Sequence, residues 1–157
     1  MVNYLGYCGT PTVDFNTVKI LLDIIVSTPN AKFMTTDVKY FHLNTPMARS
    51  KYMGLKLSNL PKSVVRQYNL EAKDTKDSYV YVEIKWGLYG LPQAGLIAQQ
   101  LLDKQLNKKG YRKSDIIQGF WTHDWRLICF LLCVDHFGVK YFGKQHADHL
   151  MTVIIDH

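Results

Sequence analysis

No stretch of this 157-residue chain is apolar for the ~20 residues a helix needs to cross a bilayer; even the hydrophobic segment Ile128 to Val134 falls far short. Cysteine is scarce. Cys8, Cys129 and Cys133 are odd in number and sit in no paired framework, which argues against a disulfide scaffold. Nothing in Met1 to Tyr7 reads as a basic-then-apolar signal, so the expectation is an intracellular protein, cytoplasmic or nuclear, with no membrane partner. Acidic residues are the minority, 13 Asp and Glu against 19 Lys and Arg, for a net charge of +6. That excess is a mild pointer to polyanionic partners. No repeat or low-complexity tract is present. With 47% hydrophobic and 20% charged residues, wholesale disorder is excluded, and residues 1–157 read as a single domain able to bury a core.

Periodicity sets out the elements. The first sixteen residues look irregular. Thr17 to Ser27 is predicted as a helix with Val18, Leu21, Leu22 and Ile25 on one stripe and Asn16 or Thr17 as cap. Lys32 to Val38 alternates as a strand ending at Asp37, and Tyr52 to Leu57 makes a second, shorter strand. A small helix over Lys62 to Tyr68 follows Pro61, a charged loop spans Glu71 to Ser78, and Tyr79 to Trp86 is a strand. Pro92 to Lys109 is the strongest helix, opened by proline and stopped by Gly110. Gly119 to His123 and Arg126 to Val134 are strands, the second apolar on both faces as a central strand would be. Asp135-His136 breaks the run, Phe137 to Phe142 resumes it as a hairpin, and Lys144 to Ile155 closes as a helix. This order predicts an α+β fold with helices layered on a mainly antiparallel sheet.

Six constellations bear on chemistry. Asp37 ends a strand and Asp135 sits at a hairpin tip. Strand-end carboxylates are commonly turn residues, but a neighbouring pair suits Mg²⁺, a hard cation that takes oxygen ligands. Leu88 to Gly95 is a tight turn running into a helix, which serves close packing or receives a phosphate. His146 and His149, three apart on the last helix, read as a solvated polar face, and Cys129, Cys133 and His136 lack zinc spacing. Tyr79, Tyr81 and Trp86 either fill a core or stack nucleic-acid bases. Lys104, Lys108, Lys109, Arg112 and Lys113 either complement a helix dipole or meet a phosphate backbone.

Three segments in order carry a resemblance. Phe33-Met34-Thr35-Thr36-Asp37-Val38-Lys39 leads into Phe41-His42-Leu43-Asn44; Tyr89-Gly90-Leu91-Pro92-Gln93-Ala94 follows; Cys133-Val134-Asp135-His136 comes last. Over roughly Thr17 to Ile155 the chain resembles the reverse transcriptase domain of copia-type LTR retrotransposon polyproteins. That family shows an Asp-Val-Lys strand end, a Tyr-Gly-Leu-x-Gln-Ala turn and a Tyr-Val-Asp-Asp-like hairpin. The resemblance implies a right-hand polymerase palm, a ferredoxin-like antiparallel sheet with helices on one face, plus part of the fingers. It implies RNA-directed DNA synthesis from dNTPs on a primed RNA or DNA template with two Mg²⁺, within a larger polyprotein. By it, Asp37 and Asp135 are catalytic metal ligands, the Val38 carbonyl is a further ligand, and Gln93 lies beside the incoming nucleotide.

The chain departs from that pattern. His136 stands where the hairpin's second aspartate belongs, and Mg²⁺ does not favour imidazole. Losing several kcal/mol of charge stabilisation costs on the order of 10³-fold in rate. His42 occupies the position of a bulky aromatic that excludes ribonucleotides, and Cys133 replaces a tyrosine. On the resemblance, Met1 to Asn16 is expected to be too short for the family's basic fingers hairpin, and a thumb and an RNase H are expected to be missing. The expectation is an impaired or inactive polymerase fragment that binds dNTP and primer–template weakly. The alternative is a non-catalytic nucleic-acid-binding remnant or repurposed domain.

Overall fold

The computed structural model describes residues 12–73 and 78–155. The irregular segment expected at the amino terminus lies outside these up to residue 11, as does the middle of the charged loop, residues 74–77. In chain order the elements are α1 (Phe15–Ser27), β1 (Lys32–Asp37), β2 (Pro46–Lys56), α2 (Lys62–Gln67), β3 (Tyr79–Trp86), α3 (Pro92–Lys108), β4 (Tyr111–Lys113), β5 (Phe120–His123), β6 (Ile128–Cys133), β7 (His136–Tyr141) and α4 (Lys144–Ile155). Short 3₁₀ turns at Leu57–Asn59 and Leu70–Lys73 flank α2. The fold is α+β, and every strand pair is antiparallel.

Five strands form the main sheet in the order β1-β7-β6-β5-β4, while β2 and β3 form a separate two-stranded ribbon. β6 is central, as its uninterrupted apolar run requires. Its even residues Ile128, Phe130 and Leu132 face one way, where α3 presents Ala98, Leu102 and Leu106 and α4 presents Leu150, Val153 and Ile154. Trp121 and Phe130, cross-strand partners on β5 and β6, stack with ring centroids 6.0 Å apart at 10°. Val38, Phe41, Phe137 and Val139 complete this core.

The odd residues of β6 point to the other face, where Leu131 and Cys129 meet Leu21, Ile25 and Val18 of α1. The expectation of helices on one face is therefore corrected: a central strand apolar on both sides needs cover on both. α1 starts two residues earlier than its periodicity indicates, because Asp14 rather than Asn16 or Thr17 caps it. The Asn16 and Thr17 N–H groups donate to the Asp14 carboxylate at 2.9 and 3.1 Å, and the Thr17 hydroxyl donates as well. That hydroxyl, then those N–H groups, hold the Asp14 carboxyl below the usual carboxylate value. β2 is longer than predicted, and β4 is a short edge strand where the sequence shows only a basic turn.

A half-buried histidine packet joins α4 to β4 and β5. The buried Tyr111 hydroxyl pairs with His149 Nδ1 at 3.0 Å, and the His123 and His149 rings lie 5.5 Å apart. Burial is the largest cause and pushes both imidazoles below 6.5; on His149 the Arg126 charge adds to it, while on His123 the opposing pull of the Lys109 carbonyl comes next, ahead of Arg126, Asp124 and His146. Burial likewise pushes the Tyr111 phenol upward.

Two outcomes follow from the packing. Phe130→Ala should destabilise the fold by about 3–5 kcal/mol, read as a lower urea midpoint, because the fully buried ring touches Trp121, Tyr111 and Phe137. The histidine packet sets a pH dependence. Its folded imidazoles bind protons less readily than unfolded ones, so their contribution is complete above 6.5 and is lost as pH falls through that value towards the lowered folded pKa. Urea midpoints from pH 8 to 5 should decline across that window, and His149→Gln should flatten the decline.

Candidate functional site

β1 stops at Asp37 because its ladder with β7 stops there. Asp37 is the cross-strand partner of His136, the first residue of β7. One step further the Val38 N–H donates to the Asp135 carbonyl at 3.0 Å. Antiparallel partners have Cα atoms about 4.5–5.5 Å apart, so Asp37, Val38, Asp135 and His136 meet at one end of the sheet. The hairpin's two-residue turn is Val134-Asp135, one residue earlier than the predicted break, and His136 belongs to the strand. His136 Nε2 stands 3.6 Å from Asp135 Oδ1. Val134 has φ +59°, a strained conformation for a β-branched residue. Its side chain packs against the main core, which holds the tip in place.

Asp37 is exposed and opens onto two concavities. A cavity of about 230 Å³ is bounded by Asp37, Val38, Lys39, Phe41 and Asn44 together with the last turns of α4. A groove of about 600 Å³ runs between α1 and the sheet, past Phe33, Thr35, Cys133, His136 and Gly138. Asp135 lines neither.

The loop after β1 ties this end of the sheet to the start of α3. Phe41 is buried and its carbonyl accepts from the Thr45 hydroxyl at 3.0 Å. The Gly87 N–H donates to the Thr45 carbonyl at 2.7 Å, and a Cβ on Gly87 would sit 2.0 Å from the His42 carbonyl oxygen, so only glycine fits. The His42 ring stands edge-on to Tyr89 at 5.5 Å, and its Nδ1 finds no hydrogen-bond partner among the described residues. Gln93 is half-buried in the first turn of α3. The structure thus draws Asp37, Val38, Asp135 and His136 together and sets the His42 loop against the turn that leads to Gln93.

The basic cluster is not part of this grouping. Lys104 and Lys108 on the far half of α3 and Lys109 at its end are exposed, and Arg112 and Lys113 lie on β4, the opposite edge of the sheet from β1. Arg112 donates twice to Asp124 at 3.0 Å, and Lys113 pairs with Asp103 at 3.1 Å. Those pairings draw two of the five predicted phosphate contacts into intramolecular salt bridges. Cys129 and Cys133 are free thiols on one face of β6, and burial pushes Cys129 up. The possible core role of Tyr79, Tyr81 and Trp86 is also set aside, because all three are exposed. Sequence reasoning missed the Thr45–Gly87 tie and the Val134 conformation; the adjacency of Gly87 to a predicted turn was the available signal for the first.

Asp37, Asp135 and the Val38 carbonyl are oxygen donors of the kind a hard divalent cation takes, whereas His136 offers a nitrogen. Among the described residues no three of His, Cys, Asp and Glu are gathered to hold a metal ion. No described helix is long and apolar enough to cross a membrane. Mn²⁺ titrated into ¹⁵N-labelled protein should broaden the amide signals of residues 36–38 and 134–137 first, and Asp37→Asn should abolish that selectivity. Even broadening at every exposed carboxylate would count against the site.

The chain matches no known family model, and neither curated proteins nor solved structures include one similar to it at a significant level.

Proposed function

We propose that this chain is a reverse transcriptase palm with part of the fingers, of the copia type, whose nucleotidyl-transfer site is impaired by His136. One observation carries the reading: the end of β1 bearing Asp37 and the hairpin tip bearing Asp135 are adjacent, joined by the Val38-to-Asp135 hydrogen bond. Segments about a hundred residues apart in sequence bring two aspartates to one end of the sheet, which supports the reading because templated phosphoryl transfer needs negatively charged oxygen.

In this reading Asp37, Asp135 and the Val38 carbonyl hold Mg²⁺. When bound, Mg²⁺ lowers the pKa of the primer 3′-hydroxyl and offsets charge on the leaving pyrophosphate. Gln93 lies beside the incoming dNTP, and His42 faces its sugar. His136, on the same rung as Asp37, supplies an imidazole in place of a carboxylate and weakens cation binding.

A second reading, a non-catalytic nucleic-acid-binding module within a retrotransposon-derived polyprotein, rests on the exposed Lys104, Lys108 and Lys109 and the +6 charge. Primer extension on poly(rA)·oligo(dT) with dTTP separates the two. Mg²⁺-dependent extension should be on the order of 10³-fold below that of His136→Asp, and Asp37→Asn should remove what remains. Extension by neither protein, with duplex binding that falls with salt at a log–log slope of about −2.7, as three phosphate contacts give, would favour the second reading.

A further inference from the structure

The β2–β3 ribbon stands outside the five-stranded sheet, and its two faces differ. Val80, Val82 and Ile84 of β3 turn inward with Met53 and Leu55 of β2. The opposite parity brings Tyr79, Tyr81, Glu83 and Lys85 to the outer face. Across the ladder, Tyr52 opposes Glu83, Gly54 opposes Tyr81 and Lys56 opposes Tyr79. The outer face therefore carries three tyrosines around one glycine. Tyr52 is 67% and Tyr81 65% exposed, so neither ring belongs to the core.

Gly54 explains how the rings lie. A Cβ there would come within 3.3 Å of the Tyr81 ring and 3.5 Å of the Tyr79 ring. Both rings lean over bare backbone, which keeps the face low and leaves aromatic surface turned to solvent. Tyr79 and Tyr81 are two residues apart on one strand, a spacing of about 6.6 Å. Lys56 and Lys85 are exposed beside them, and Glu83 is 4.0 Å from Lys85. Exposed tyrosine also marks protein interfaces, but lysine is depleted from those, whereas rings interleaved with lysine suit bases and phosphates.

We propose that the outer face of the β2–β3 ribbon is a stacking platform for single-stranded nucleic acid, with Tyr52 and Tyr81 under the bases and Lys56 and Lys85 against the phosphates. This goes beyond the assignment of the aspartate site and requires no catalysis.

The test is fluorescence anisotropy of the full chain at low salt with a labelled oligothymidylate of about 12 nucleotides. Tyr52→Ala and Tyr81→Ala should each weaken binding about tenfold, and Tyr81→Phe, which keeps the ring, should bind nearly as wild type. An abasic oligomer of equal length should bind the unaltered protein as weakly as the double alanine variant binds the normal one. This arm needs no substitution, so it stands if a variant misfolds. Equal affinity for the abasic oligomer, unchanged binding by folded alanine variants, or no binding at low salt would each overturn the proposal. So would self-association that Tyr52→Ala abolishes without affecting oligonucleotide binding, which would make the face a contact between copies.

Discussion

The antiparallel ladder between β1 and β7 is the constraint on which the rest depends. β7 is hydrogen-bonded to β6 on its other side, so its register is set by the packed centre of the sheet. β1 inherits that register, and a slip of one residue would turn Phe33, Thr35 and Asp37 into the core and Met34, Thr36 and Val38 out of it. The burial of Val38 against the main core forbids the slip. The alignment of Asp37 with His136 is thus a consequence of apolar packing and needs no attraction between the polar groups.

Much of this was legible in the residues, and the reasons differ by element. α3 and α4 were readable because each has one apolar stripe with a clear start, proline as the first residue of α3 and Gly143 just before α4. β6 was readable because it is apolar on both sides. The same fact implied cover on both faces, yet the placement of α1 was not evident. Periodicity gave its buried side, since Val18, Leu21 and Ile25 of the expected stripe meet the sheet and only Leu22 stays exposed, but it could not say which face of the sheet that side covers. β4 was hidden because three residues, two of them basic, give no alternation to detect; Tyr111 alone carries its inward face.

At the candidate site the division is similar. The two aspartates stood out as strand-end residues, and their proximity follows from strand order, which local pattern does not encode. The basic cluster was visible as composition, but the carboxylates that meet it come from other elements: Asp124 from just beyond β5 and Asp103 from mid-α3. As alternating aromatics on a strand, Tyr79 and Tyr81 read more readily as core than as a platform. Only the pairing of β3 with β2, away from the main sheet, decides that their side of the ribbon is open.

Val134 gives the hairpin an unusual dependence. Asparagine or glycine would adopt its left-handed backbone with little cost, whereas valine does so only while its methyl groups are engaged beneath the tip. The turn is therefore governed from below. A change of volume deep in the sheet would be felt as a displacement of the Asp135 carboxylate at the surface, with no residue of the tip itself altered.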